Sequence, residues 1–96
     1  MNFKNRRLIT CGVDLKVNPL LQVFMWHLID ELPEPKDYLQ VFTCTSYDGK
    51  QKITHAQEVP EYRREYLIES DSSFFVGKIF VIDDDTHSTM LLAEEY

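Results

Sequence analysis

Residues 37–57 read Asp-Tyr-Leu-Gln-Val-Phe-Thr-Cys-Thr-Ser-Tyr-Asp-Gly-Lys-Gln-Lys-Ile-Thr-His-Ala-Gln. Asp48 and Gly49 both tolerate positive φ, as the central pair of a type I′ turn requires, so Tyr47 and Lys50 should pair across a two-residue hairpin. Before the turn, over 37–45, Leu39, Val41 and Thr43 share one face of a strand and Tyr38, Gln40, Phe42 and Cys44 the other. Neither face is clearly polar. A strand buried on both sides, or one covered partly by the helix and partly by a partner, fits this. The return strand spans about 51–58, with Ile53 and His55 opposite Thr54 and Ala56.

Upstream, Asn18 followed by Pro19 is a helix start, because Asn accepts from free backbone amides and Pro at the first helical position leaves no amide unsatisfied. The helix runs about 19–32 and is stopped by Pro33 and Pro35. At about 100° per residue, Leu20, Leu21, Phe24, Met25, Leu28, Ile29 and Leu32 fall in one apolar sector. Gln22, His27, Asp30 and Glu31 lie outside it or on its margin. Val23 and Trp26 break the pattern, and Trp26 projects between Gln22 and Asp30, far from the middle of the stripe. Before the helix, the apolar and partly β-branched run 7–13 reads as a strand, with Gly12 marking a bulge or close approach.

Downstream, Val59-Pro60 ends the hairpin. Residues 62–69 read as a strand in preference to a short helix that would stack Tyr62 on Tyr66. Residues 70–73 read as a polar loop, 74–82 as the strongest strand with Gly77 a possible bulge, 83–87 as a polar turn and 88–94 as a last strand. Together these predict an α+β protein in one domain over 1–96. It has one curved, mainly antiparallel sheet of five to six strands, a single long helix at about 19–32 on one face, and the order β-α-β-β-β-β-β.

At 96 residues, one compact core is the limit. An apolar fraction of 44% with six Phe, five Tyr and one Trp is too rich for a disordered chain. A formal charge of −6 disfavours a general nucleic-acid or anionic-membrane binder. The charge is uneven: residues 1–16 hold four basic side chains against Asp14, and residues 70–96 hold six carboxylates against Lys78. No apolar stretch approaches a membrane span or a secretory signal, which predicts a cytoplasmic protein. Cys11 and Cys44 form no short-spaced pair, so reduced buried thiols are expected, with their mutual distance left open.

The segments Arg6 through Val13, Leu20 through Glu31, Asp37 through Phe42 and Ile53 through Tyr62, in this order, resemble the "domain of unknown function 960" family, small proteins of Firmicutes and their mobile elements. The resemblance covers about the first two thirds of the chain and leaves out the acidic final third. It implies no assigned reaction, substrate or cofactor and supplies no catalytic residue.

The residues themselves carry little chemistry. Asp83-Asp84-Asp85-Thr86-His87 fails as a calcium loop, since the sixth position is Ser88 and not Gly and the ninth is Leu91, and it reads as a solvated turn. His27, His55 and His87 have no helical ligand spacing. Cys11, Cys44 and His55 could meet as a thiol–imidazole pair, but nothing in their spacing demands it. Lys4 to Arg7 and the Tyr47, Lys50, Lys52 hairpin tip are too sparse for a nucleic-acid motif.

The functional expectation is therefore an interaction or accessory module without catalysis, cofactor or metal, contacting a protein partner or a second copy. Its contact surface is an exposed sheet edge or the face of Trp26, Val23, His27 and Asp30, because an outward indole is costly to leave wet. Two other classes stay open. One is a small metal-dependent enzyme using His55, His87 and the Asp83 to Asp85 turn. The other is a nucleic-acid binder or an acidic DNA mimic.

Overall fold

The computed structural model describes residues 2–70 and 74–96. Its elements in chain order are β1 (Arg6–Ile9), α1 (Cys11–Lys16), α2 (Pro19–Glu31), β2 (Leu39–Tyr47), β3 (Lys50–Gln57), β4 (Tyr62–Ile68), β5 (Gly77–Asp83), β6 (His87–Leu92) and a closing 3₁₀ turn (Ala93–Glu95). The six strands form one mixed sheet in the order β1-β6-β5-β2-β3-β4. All neighbours are antiparallel except β1, which lies parallel to β6. The architecture is α+β as expected, but the strands do not form a simple meander. The β5–β6 hairpin returns to the far side of β2, and β1 closes that edge.

The hairpin at Asp48-Gly49 forms as the turn chemistry requires: φ is 51° at Asp48 and 77° at Gly49, and Tyr47 pairs with Lys50. Residues 62–68 are a strand, registered on β3 from Gln57↔Tyr62 to Gln51↔Ile68. The 71–73 part of the expected polar loop lies outside the described residues.

Three expectations are corrected. The first strand ends at Ile9, and 11–16 is a second, short helix. Thr10 caps it, its Oγ1 accepting from the Val13 N–H at 3.3 Å. Asp14 in its first turn and Lys16 in its last match the helix dipole. Local capping outweighs the β-branched composition there. Gly12 is no strand bulge; Glu95 reaches it from the end of the chain, taking hydrogen bonds from Thr10 Oγ1 at 2.6 Å and the Gly12 N–H at 3.2 Å.

The strand expected at 74–82 begins only at Gly77. The backbone of Phe75 is bonded instead by the Gln51 side chain, its N–H to Oε1 at 2.9 Å and its C=O from Nε2 at 3.0 Å. The last strand stops at Leu92, where the 3₁₀ turn starts.

α2 is capped as expected, Asn18 Oδ1 accepting from the Leu21 N–H at 2.9 Å. Its buried side is Leu21, Met25, Leu28 and Ile29, packed with Val13, Val17 and Phe3 over Phe42, Cys44, Ile53, Ile79, Val81, Met90 and Leu92. Each such burial is worth about 1.5–3 kcal/mol. The buried sector is rotated from the expected one: Leu20 lies about 120° from its middle and is 82% exposed, while Phe24 and Trp26 flank the core half-buried. α2 also crosses the sheet. At its start Leu20 and Leu21 share a shallow cleft with Gln51 of β3 and Ile68 of β4, and at its end Asp30 bonds Arg7 of β1 on the opposite edge.

Candidate functional site

Trp26 is half-buried, and the Arg7 guanidinium lies 4.7 Å over its ring. Arg7 also bonds the Asp30 carboxylate and donates from Nη2 to the Phe3 carbonyl at 3.1 Å. The Arg7 bond holds the Asp30 carboxyl below its usual range. The indole is thus partly dried by the chain's own first strand. Val23 is 64% exposed beside it, and His27 lies exposed 3.9 Å from Glu31. The four residues share the outer side of α2, but the aromatic anchor among them already has a partner.

The metal-enzyme constellation is not assembled. His55 sits on the core face of β3, and His87 belongs to the opposite face of β6. Since β5 and β2 lie between, three strand spacings of about 4.8 Å separate them. Among the described residues no group of three or more His, Cys, Asp or Glu could hold a metal ion.

The His55 ring is buried, stacked on Phe42 at 4.4 Å between centroids and edged by Tyr62 at 5.3 Å. Its Nε2 is 2.6 Å from Gln40 Oε1, and its Nδ1 has no partner. Burial pushes its pKa down to about 4. Gln40 in turn donates to Gln57 Oε1 at 2.7 Å, and Gln57 donates to the Pro60 carbonyl at 2.8 Å. This polar chain pins the β3–β4 connection to β2.

No thiol–imidazole hydrogen bond forms either, since His55 Nε2 lies on Gln40 and Nδ1 has no partner. Cys44 is buried, which pushes its thiol up to about 12, while Cys11 is exposed on α1. The acidic turn is more built than a solvated one. Asp83 is buried at the end of β5 and accepts from the N–H groups of Phe3 and Asp85 and from Asn5 Nδ2, bonds that draw its pKa down against its burial. Asp84 Oδ1 accepts from the Thr86 and His87 N–H groups at 3.0 Å each.

What the sequence did not locate is the second face of the sheet. Both helices pack on the face that holds Phe42 and Ile53. On the other, register aligns Leu8, Thr89, Ile82 and Leu39 in one row across β1, β6, β5 and β2. Leu91, Phe80, Val41 and Ala56 form the next row, ending at Arg63 of β4. All eight side chains before Arg63 are only half-buried. Around them stand Arg6, Lys78, Lys52 and Arg63, with Glu65 paired to both Lys52 and Arg63. Tyr96 sets its ring edge-on to Phe80 at 5.6 Å.

The apolar composition of both faces of residues 37–45 was the one available signal. The neighbours contributed by β1 and β6 depend on a strand order that periodicity does not encode.

Among the described residues no helix is long and apolar enough to cross a membrane. The family model described as "Staphylococcal protein of unknown function (DUF960)" matches residues 6–95, including the acidic final third. No curated protein matches the chain. A crystal structure of a protein of unknown function from Enterococcus faecalis is similar with a TM-score of 0.88 at 24% identity, over 100% of this chain and 96% of that one. At that identity the likeness shows a shared fold.

Proposed function

The chain belongs to the DUF960 family of staphylococcal proteins of unknown function, and on that premise we propose that it acts by binding a protein rather than by catalysis, as a small cytoplasmic interaction or accessory module. The observation that supports this reading is the open sheet face. Seven of the eight side chains in its two middle rows are apolar, Thr89 being the exception, whereas a solvated sheet face alternates to polar side chains. A second, smaller contact surface on α2, made by Trp26, Val23, His27 and Asp30, is supported by the exposure of Val23 and weakened by the Arg7 cover on Trp26.

Affinity capture with three baits tests the reading: the native chain, Val41→Glu on the open face, and Trp26→Ala on α2. A protein retained by the native chain and Trp26→Ala and lost with Val41→Glu is the expected result. The reverse pattern moves the contact to α2. Equal recovery on all three baits defeats both surfaces.

A further inference from the structure

Resting on the protein-binding reading, we infer that the open sheet face takes one amphipathic helix of a partner protein, about three turns long, apolar along one side and acidic along its flanks. Shape gives the first part. The two rows lie about 7 Å apart along the strands; each is four strands wide, about 14 Å between outer strands, and together they run from β1 to β3, about 19 Å. A strip of that size is the footprint of a single helix about 10 Å across. It is small for a second sheet laid face to face, which needs about 800 Å² from each partner. The fold already shows the manner of docking, for α2 crosses the same sheet from β4 to β1 on the reverse side.

Charge gives the second part. The molecule as a whole is −6, yet Arg6, Arg63 and Lys78 border the strip and Lys52 stands two rows beyond it; Glu65 is the one carboxylate on the strands of this face, and Asp84 lies past the strip's end, held 3.2 Å from His87. Arg6 and Lys78 are exposed and pair with no carboxylate among the described residues. A second copy packed face to face would set these cations against their own equivalents, whereas acidic flanks would pair them. Single-stranded nucleic acid would also meet the cations. It needs aromatic platforms for its bases, and the strip is built from Leu, Val, Ile, Ala56, Thr89 and one Phe whose ring already meets Tyr96.

Three labelled probes test this by fluorescence anisotropy: an 18-residue Leu/Glu amphipathic peptide, its Leu/Lys counterpart and an oligo-uridine. The strip is below the size of a tight interface, so the Leu/Glu peptide should bind in the micromolar range, about 10⁻⁶–10⁻⁴ M. Binding should weaken at least about tenfold in Arg6→Glu/Lys78→Glu and in 0.5 M salt, and should persist in Trp26→Ala. Both charge changes are at exposed positions, so the variant keeps its fold, and Val41→Glu supplies an independent apolar-strip variant.

Failure of the Leu/Glu peptide with Leu/Lys binding at the same face overturns the acidic-helix inference and leaves the protein-binding reading standing. Self-assembly of the unliganded chain through this face, seen by light scattering, does the same. Oligo-uridine bound there in place of either peptide overturns both; a face that binds none of the probes overturns the acidic-helix inference, and the affinity capture decides the protein-binding reading.

Discussion

The backbone N–H of Gly12 donates to Glu95 Oε2 at 3.2 Å, and a Cβ on Gly12 would stand 2.6 Å from that same oxygen and 2.8 Å from Leu92 Cδ1. A side chain at position 12 must therefore push aside the Glu95 carboxylate and the Leu92 methyl, both ends of flexible side chains. Gly12→Ala should lose the Glu95 contact, which offsets most of the roughly 1 kcal/mol that alanine gains in a helix, read as a urea midpoint that rises by less than that gain at unchanged slope. In a Glu95→Ala background the same substitution should raise the midpoint further, because the carboxylate that blocks the Cβ is gone.

The His55 ring predicts a pH dependence. Its pKa in the folded chain is about 4, below the 6.5 of a free imidazole, so its stabilising effect is complete above pH 6.5 and is lost as pH falls from there toward 4. At about 1.4 kcal/mol per unit, the loss at pH 5 is about 2 kcal/mol. Urea unfolding between pH 7.5 and 4.5 should show that slope, and His55→Gln should flatten it. The lowered Asp30 and Asp83 carboxyls add their own loss only below about pH 4.

Asp83 and its neighbours separate a structural carboxylate from surface ones. Asp83→Ala leaves the buried Phe3 N–H without its acceptor and should cost about 1–3 kcal/mol. Asp85→Asn should leave the melting temperature unchanged. A silent Asp83→Ala would mean that residues 2–5 are not held to β5.

Thiol titration distinguishes the two cysteines. In the native protein Cys11 should react promptly with an aromatic disulfide reagent, while Cys44, buried with its thiol pushed up to about 12, should react only on unfolding. Two fast thiols in the absence of denaturant would contradict the packing of β2.

Trp26 is the sole tryptophan, so its fluorescence reports on one place. Arg7→Ala uncovers the ring and should move its emission to longer wavelength. Trp26→Ala should cost about 1–3 kcal/mol, because the indole also packs against the core. An unchanged melting temperature would make it a surface residue kept for contact.

Much of the fold was legible wherever a local rule was decisive. Asn18-Pro19 set the start of α2, Pro33 its end, and Asp48-Gly49 the hairpin and its register. Misreadings arose where a distant residue supplied the bond. Thr10 and Glu95 turn 11–16 into helix, Gln51 occupies the backbone of Phe75, and Asp83 is tied to Phe3 and Asn5. The candidate site was half legible for the same reason. Val41 and Leu39 announced a second apolar face, but Leu8, Leu91 and Ile82 join them only through the sheet order.

The pairing of β1 with β6 bears on how the chain is made. The strand pairing of β1 and the Glu95 bonds to Thr10 and Gly12 both wait for residues 87–95. At about 5–20 residues per second, a ribosome spends about 4–18 s between delivering β1 and those residues. During that interval β1 has no strand partner and reaches only α2, through Arg7 to Asp30 and Trp26, while the β2–β3 hairpin can already close. The β1–β6 edge therefore cannot close until β6 has left the ribosome.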